Sequence, residues 1–279
     1  MEQKLWRTLA ALKEKGPLVQ CLTNFVSMDI MANGLLAIGA SPAMVHAPGE
    51  LDQAIAVVKI IGGAVSINIG TLDATWIESF KKAVLCCKEN GVPWVLDPVA
   101  AGFTSLRTDT ALELMRLHPP AVVRGNSSEI QALVKSGTGG KGVDSADPSE
   151  KAVAAAKELA ETFKCVVCVS GAIDYVVDPN GSDVIECAHG VPMLQKITAT
   201  GCLLSSLCAA FVVSRPEDVS VQEATAAACA FFGICAELAD KDSSGPGTLR
   251  ANLLDKMYTT TKETCTIAVK MVKSVTCSR

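Results

Sequence analysis

Helix-period segments and short β-rich runs take turns along the first 170 residues or so, and this alternation restricts the fold more than any other feature of the sequence. Apolar residues recur at helical spacing near 3–15, from Ser27 to Ile38, Glu50 to Ile61, Leu72 to Asn90, after Ser105, from Ser127 to Lys135 and from Ser149 to Phe163. Between them stand LVQCLT, PAMVHA, AVSINIG, VPWVLDP, AVVRGN and CVVCVS, all of strand composition. A strand, a helix and a second strand of these lengths close a crossover between parallel neighbours. The expected fold is therefore α/β, a mostly parallel central sheet flanked by helices.

The pattern then changes. In DYVVDPNGSDVIECAHG, Asn180-Gly181 separates two β-rich runs, which signals a hairpin and an antiparallel end to the sheet. Three helices are expected after it, near 201–214, 219–240 and 247–273, the last with Pro246 in its first turn. Ser136 to Pro148, rich in Gly and Ser, forms the one long loop and a candidate flap. With no internal repeat or linker, the expectation is one domain over residues 1–279.

Hydrophobic residues make up 49% of the chain but aromatic ones only 4%, so the core must be built from Ala, Val, Leu and Ile. A net charge of −4 without a Lys/Arg run argues against nucleic acid or an anionic membrane as the main partner and favours a small molecule. The uncharged stretches Leu203 to Ser214 and Ala224 to Ala236 fall short of the roughly 20 residues of a membrane span and read as buried helices. The charged, amphipathic start MEQKLWRTLAALKEKG does not read as a leader, so a cytoplasmic protein is expected. The twelve cysteines are scattered through apolar surroundings, as reduced core thiols would be. Cys165 and Cys168 form a CxxC within a strand-like run, where residues three apart face opposite ways, so a redox or metal role is not expected of them.

Neither common nucleotide fingerprint is present. GTGGKG at 137–142 fails the phosphate-loop pattern because Gly142 follows Lys141, and no GxGxxG follows the first strand. The three histidines, His46, His118 and His189, have no partner at a meaningful spacing, which excludes zinc and triad chemistry as leading readings. What remains are polar residues at strand exits. Asp97 ends one strand, either as a loop cap or as a ligand-facing carboxylate, since open α/β sheets bind ligands at the carboxyl ends of their strands. Asn126 and Glu129 have capping-box spacing, and with Asp97 could equally hold a hydrated magnesium ion. Asn24 and Asn68, each after an apolar strand, either cap the next helix or share a cleft. In KITATGCLLS, small residues open a long apolar helix, leaving the amides of Ala199, Thr200, Gly201 and Cys202 without intrahelical partners at the positive end of its dipole. An anion is expected there, and the same location is expected to depress the Cys202 pKa.

Taken in order, QCLTNFV, ANGLLAIGASPAMVHAP, INIGTL, VLDPVAAG, RGNSSEI, KGVDS, SGAIDYV, TATGC and GPGT resemble the hydroxyethylthiazole kinases, members of the ribokinase-like fold, over nearly the whole chain. The resemblance implies a three-layer ribokinase-like architecture and a homotrimer with its thiazole sites at subunit boundaries. It also implies ATP-dependent phosphorylation, with magnesium, of the primary hydroxyl of 4-methyl-5-(2-hydroxyethyl)thiazole in thiamine biosynthesis or salvage. By position, Asn24, Asn68, the Met44 backbone and Ala199 belong to the substrate pocket. Thr200, Gly201 and Cys202 form the catalytic turn, Cys202 standing where most ribokinase-like enzymes carry an aspartate. Arg124, Asn126 and Ser170 belong to the ATP phosphates and their surroundings, and Asp97 and Glu129 to the metal. Ala199 replaces a glycine frequent in bacterial members, and Leu249 a phenylalanine. The rival expectations are a hydroxymethylpyrimidine kinase, a cysteine hydrolase using Cys202, and a non-catalytic sensor of the same ligands.

Overall fold

The computed structural model describes residues 1–137 and 148–275. Six parallel strands form its centre: β1 (Leu18–Leu22), β2 (Ser41–Ala43), β3 (Ala64–Asn68), β4 (Trp94–Asp97), β5 (Val122–Asn126) and β6 (Val166–Ser170). Three antiparallel strands follow, β7 (Asp174–Val177), β8 (Asp183–Cys187) and β9 (Met271–Val275). Among the described residues the strands lie in the order β2-β1-β3-β4-β5-β6-β7-β8-β9.

Two helical layers cover the sheet, as its double-sided burial requires. One consists of α1 (Glu2–Lys15), α2 (Met28–Ala37), α8 (Thr200–Ser214), α9 (Val221–Asp240) and α10 (Pro246–Thr259). The other consists of α3 (Leu51–Ile61), α4 (Ala74–Asn90), α5 (Ser105–Leu117), α6 (Ser127–Gly137) and α7 (Pro148–Phe163). Strand residues alternate between the two: Val122 and Val166 pack into the first, Val123 and Val167 into the second. The same alternation sends Cys168 and Cys165 to opposite sides, as their spacing predicts. All the described cysteines are free.

Local signals set several boundaries. Asp73 caps α4 by accepting from Trp76 N, and Gly91 ends that helix at a left-handed φ of 66°. Ser220 and Glu223 form a capping box at the start of α9. Strand β2 covers less than the expected PAMVHA, because only Ser41 to Ala43 have register partners on β1. The hairpin between β7 and β8 forms, but through a longer loop than Asn180-Gly181 alone would need; the Asp178 carboxylate accepts from the amides of Asn180, Ser182 and Asp183. The expected flap between Ser136 and Pro148 lies largely outside the described residues.

Two expectations need correction. The last helix does not run to residue 273 but stops at Thr259. Thr264 Oγ1 donates to Thr259 O, and Thr261 N and Thr264 N donate to each other's hydroxyls, so side chains take over from the helical ladder. The chain then pairs with β8, whose outer edge would otherwise be bare. Helix α9, at 20 residues, does reach the length and apolarity of a membrane span; 83% of that stretch is buried, packed as core against α1, α8 and α10.

Candidate active site

The polar residues singled out at strand exits meet at one end of the sheet. Asn24 follows β1, Asn68 ends β3, Asp97 ends β4, Arg124 and Asn126 lie in β5 and Ser170 ends β6. These are the carboxyl ends of parallel strands, and α8 packs against β1, β3, β4 and β5 with its N-terminus among them. The helix is held by Ser205 Oγ, which donates to Asp97 Oδ2 at 2.8 Å in a fully buried bond. Sequence reasoning missed Ser205; its signal was a hydroxyl one turn after Gly201 inside an otherwise apolar helix.

Ala199 opens α8 at φ 64° and ψ 13°, a left-handed conformation that strains a residue with a Cβ. The first helical bond runs from Leu203 N to Ala199 O, so the amides of Thr200, Gly201 and Cys202 precede the hydrogen-bonded ladder. Thr200 Oγ1 donates back to Leu194 O and Ile197 O, fixing the turn from outside. A Cβ on Gly201 would come within 2.6 Å of Arg124 Nη1, so a side chain here would have to displace the guanidinium.

On one side of the turn, Asn24 Nδ2 donates to Asn68 Oδ1 at 2.8 Å and lies 3.7 Å from Cys202 Sγ. Asn24 Oδ1 accepts from the Val26 and Ser27 amides and so closes the turn that leads into α2, whose N-cap is Ser27 rather than Asn24, while its amide nitrogen belongs to the shared cleft. The Asn68 Nδ2, buried, makes no well-formed hydrogen bond, although the Asn68 carboxamide lowers the pKa of both Asp97 and Cys202. The expected depression of the Cys202 pKa is not found. Burial first, then the Asp97 charge, push the thiol up to about 11, and the opposing influence of Asn68, Asn24 and Arg124 is smaller.

On the other side lies a cavity of about 540 Å³ lined by Arg124, Ser170, Thr200 and Gly201. Val191, Pro192, Leu194 and Phe232 give it apolar lining as well. Arg124 Nη2 donates to Ser170 Oγ at 2.5 Å and Nη1 stands 3.8 Å from Asp97 Oδ2, while its buried Nε has no partner. Asp174, also missed in the sequence, lines the same cavity and accepts from Gly171 N. Burial raises both Asp97 and Asp174 to about 6, against the nearby Arg124 charge.

Asn126 and Glu129 realise the capping box: Glu129 N donates to Asn126 Oδ1 and Asn126 N to Glu129 Oε2. Glu129 Oε1 also accepts from Ala100 N, tying α6 to the loop after β4. Glu129 is close enough to raise the Asp97 pKa. Among the described residues no three His, Cys, Asp or Glu gather as a metal cage. The two carboxylates still fit a hydrated magnesium ion, which takes one or two carboxylates and completes its shell with water and phosphate oxygens. Each anchored oxygen keeps a free lone pair, and a divalent cation would offset the burial and, less, the Glu129 charge that raise the Asp97 pKa. Met44, also expected in the substrate pocket, is not joined to this cluster by any hydrogen bond among the described residues. It follows the edge strand β2, where Gln20 Nε2 donates to Val45 O and the His46 ring stacks on Trp76 at 4.7 Å.

The model of a family described as the hydroxyethylthiazole kinase family matches residues 9–263. The chain is 47% identical over 272 residues to the hydroxyethylthiazole kinase of Zea mays, spanning 96% of this chain and 92% of that protein. With the hydroxyethylthiazole kinase of Arabidopsis thaliana the identity is 44% over 255 residues, 91% of this chain and 89% of that one. The solved hydroxyethylthiazole kinase from Pyrococcus horikoshii OT3 superposes with a TM-score of 0.87 at 36% identity, covering 98% of this chain and 100% of the other. A pyridoxal kinase from Staphylococcus aureus, 16% identical with a TM-score of 0.56 over 77% of this chain and 86% of that one, shares the fold alone, which is ribokinase-like. Kinship at this level over nearly the full length is enough to say that the chain belongs to the hydroxyethylthiazole kinase family.

Proposed function

We propose that this member of the hydroxyethylthiazole kinase family transfers the γ-phosphoryl group of ATP to the primary hydroxyl of 4-methyl-5-(2-hydroxyethyl)thiazole, in thiamine biosynthesis or salvage. One observation carries the reading at the site: the unpaired amides opening α8 stand between two binding regions, the Asn24–Asn68–Cys202 cluster and the Arg124–Ser170 cavity. The thiazole alcohol sits by the asparagines and the nucleotide in the cavity, its phosphates toward Arg124 and Ser170. Phosphoryl transfer has a loose transition state, so positioning and charge stabilisation carry most of the catalysis. The amides of Thr200, Gly201 and Cys202 stabilise charge on the transferring group, and Arg124, kept from swinging by Ser170 and Asp97, aligns it. Cys202, a neutral thiol, orients the acceptor hydroxyl and contributes little as a base. Asp97 and Glu129 would hold magnesium, which when bound neutralises phosphate charge. Met44 completes the thiazole pocket from a neighbouring subunit of a homotrimer. Exposed Phe25, Val26 and Leu36, close in sequence to Asn24 and to the β2 edge, support that assembly.

An ADP-release assay with the thiazole alcohol, a hydroxymethylpyrimidine and no acceptor tests the reading. ADP is expected to form rapidly with the thiazole alone. Faster turnover of the pyrimidine, or a covalent acyl adduct on Cys202, overturns it. Asp97→Asn and Glu129→Gln are expected to impair turnover most at limiting magnesium while leaving thiazole binding close to parental; unchanged magnesium dependence removes the metal assignment.

A further inference from the structure

His189, which no spacing in the sequence connects to anything, stands in the wall of the nucleotide cavity with both ring nitrogens engaged. Nδ1 lies 2.9 Å from Glu237 Oε1 on α9, and Nε2 lies 2.7 Å from the backbone nitrogen of Lys270 just before β9. The backbone N–H can only donate, so Nε2 is the acceptor and Nδ1–H donates a hydrogen bond to the Glu237 carboxylate. The ring is therefore held as one neutral tautomer by a helix on one side and the C-terminal segment on the other.

The residues on either side of it are fixed to the same two elements. Gly190 N donates to Glu237 Oε1 at 3.1 Å, and Ala188 N donates to Lys270 O at 3.1 Å. Gly233 of α9 presses so closely that a Cβ there would meet His189 Cβ at 2.5 Å. Gly190 itself has φ 118°, a conformation that needs glycine. The turn from His189 to Pro192 is thus clamped from two directions, and with Phe232 and Gly233 it lines the cavity. If phosphates meet Arg124 and Ser170, the nucleobase meets the apolar lining that Val191, Pro192 and Phe232 supply.

We propose that His189 is a positioning residue for the nucleobase, and that through Lys270 N it makes ATP affinity depend on the docking of the C-terminal segment, which does not itself line the cavity. The proposal rests on the kinase reading above. The expected role is ground-state placement of the nucleotide rather than chemistry, so its signature is a split between kinetic constants.

Steady-state kinetics on His189→Ala, His189→Gln and Lys270→Pro, in the full chain with thermal melts, test it. Lys270→Pro deletes the N–H that His189 accepts from and touches nothing in the cavity. His189→Ala is expected to raise KM for ATP about tenfold, with kcat and KM for the thiazole alcohol within about twofold of the parent. Lys270→Pro should show the same split, smaller, and should add little in the double variant, because both break one interaction. His189→Gln, whose side-chain oxygen can replace Nε2 as acceptor, should recover part of the affinity. Parent-like KM for ATP in both His189→Ala and Lys270→Pro, or a loss spread equally over all constants, overturns the positioning role while the kinase reading stands. A parent enzyme that binds no ATP overturns both.

Discussion

Cys202 occupies the position of greatest chemical interest and yet is held as a thiol, since burial and Asp97 push its pKa up to about 11. Cys202→Ala should therefore lower turnover by less than the roughly 10²- to 10⁴-fold that follows loss of an essential general base. Cys202→Asp should match or exceed the parent, with a rate that climbs with pH because Asp97 would also hinder ionisation of the new carboxyl. Inactivity of both variants in folded protein, with a phosphorylated or acylated thiol trapped on the parent, would overturn the role given to Cys202. Asp97 makes a second residue-scale prediction. Its folded pKa of about 6 lies above its ordinary 3.8, chiefly through burial. A raised carboxyl favours the folded state most at low pH, where it is protonated, and that advantage is lost as pH rises through 6. The stability of Asp97→Asn relative to the parent should accordingly improve between pH 4 and pH 7 by on the order of 2–3 kcal/mol, whatever its starting offset. Denaturant titrations at several pH values check this; a flat difference would place the carboxyl in a more hydrated setting.

At the scale of the element, the first turn of α8 is where sequence and site meet most closely. Small residues were legible there as a helix start with free amides, and that reading holds. What a side chain at Gly201 would meet was not legible, because it is the Arg124 guanidinium arriving from β5, 77 positions earlier. Arg124 has little room to yield, being bonded to Ser170 and near Asp97. Gly201→Ala is thus expected to displace it and cut kcat/KM about a hundredfold, the scale of a misplaced positioning group, with circular dichroism unchanged. A nearly active variant would show that Arg124 can move without cost to the site. The C-terminal region gives the opposite lesson. Its apolar and charged residues have helical spacing, but threonine hydroxyls end α10 and the open edge of β8 recruits the following residues as a strand.

For the whole molecule, the apolar residues left outside matter most. Val57, Ile60 and Ile61 form one exposed stripe on α3, with Ile60 83% exposed, and Phe25 and Leu36 are open as well. Patches of this kind usually meet another protein surface. A homotrimer that shares its thiazole sites should lose activity in proportion to trimer over a dilution series followed by light scattering. A fully active monomer would show that Met44 has no part in a shared pocket.

The sequence by itself determined the layered α/β class, the mostly parallel character of the central sheet, the capping spacing of Asn126 and Glu129, and the strand-exit residues that a ligand could meet, because hydrophobic period and capping chemistry act over a few residues at a time. The motifs also pointed to the family. Only the tertiary structure decided that Ser205 bolts α8 to Asp97, that Asp174 and His189 face the cavity, that Cys202 remains protonated, and that residues 271–275 become a strand. Each of these depends on groups distant in sequence, and burial, charge and edge pairing have no value until the chain has brought those groups together.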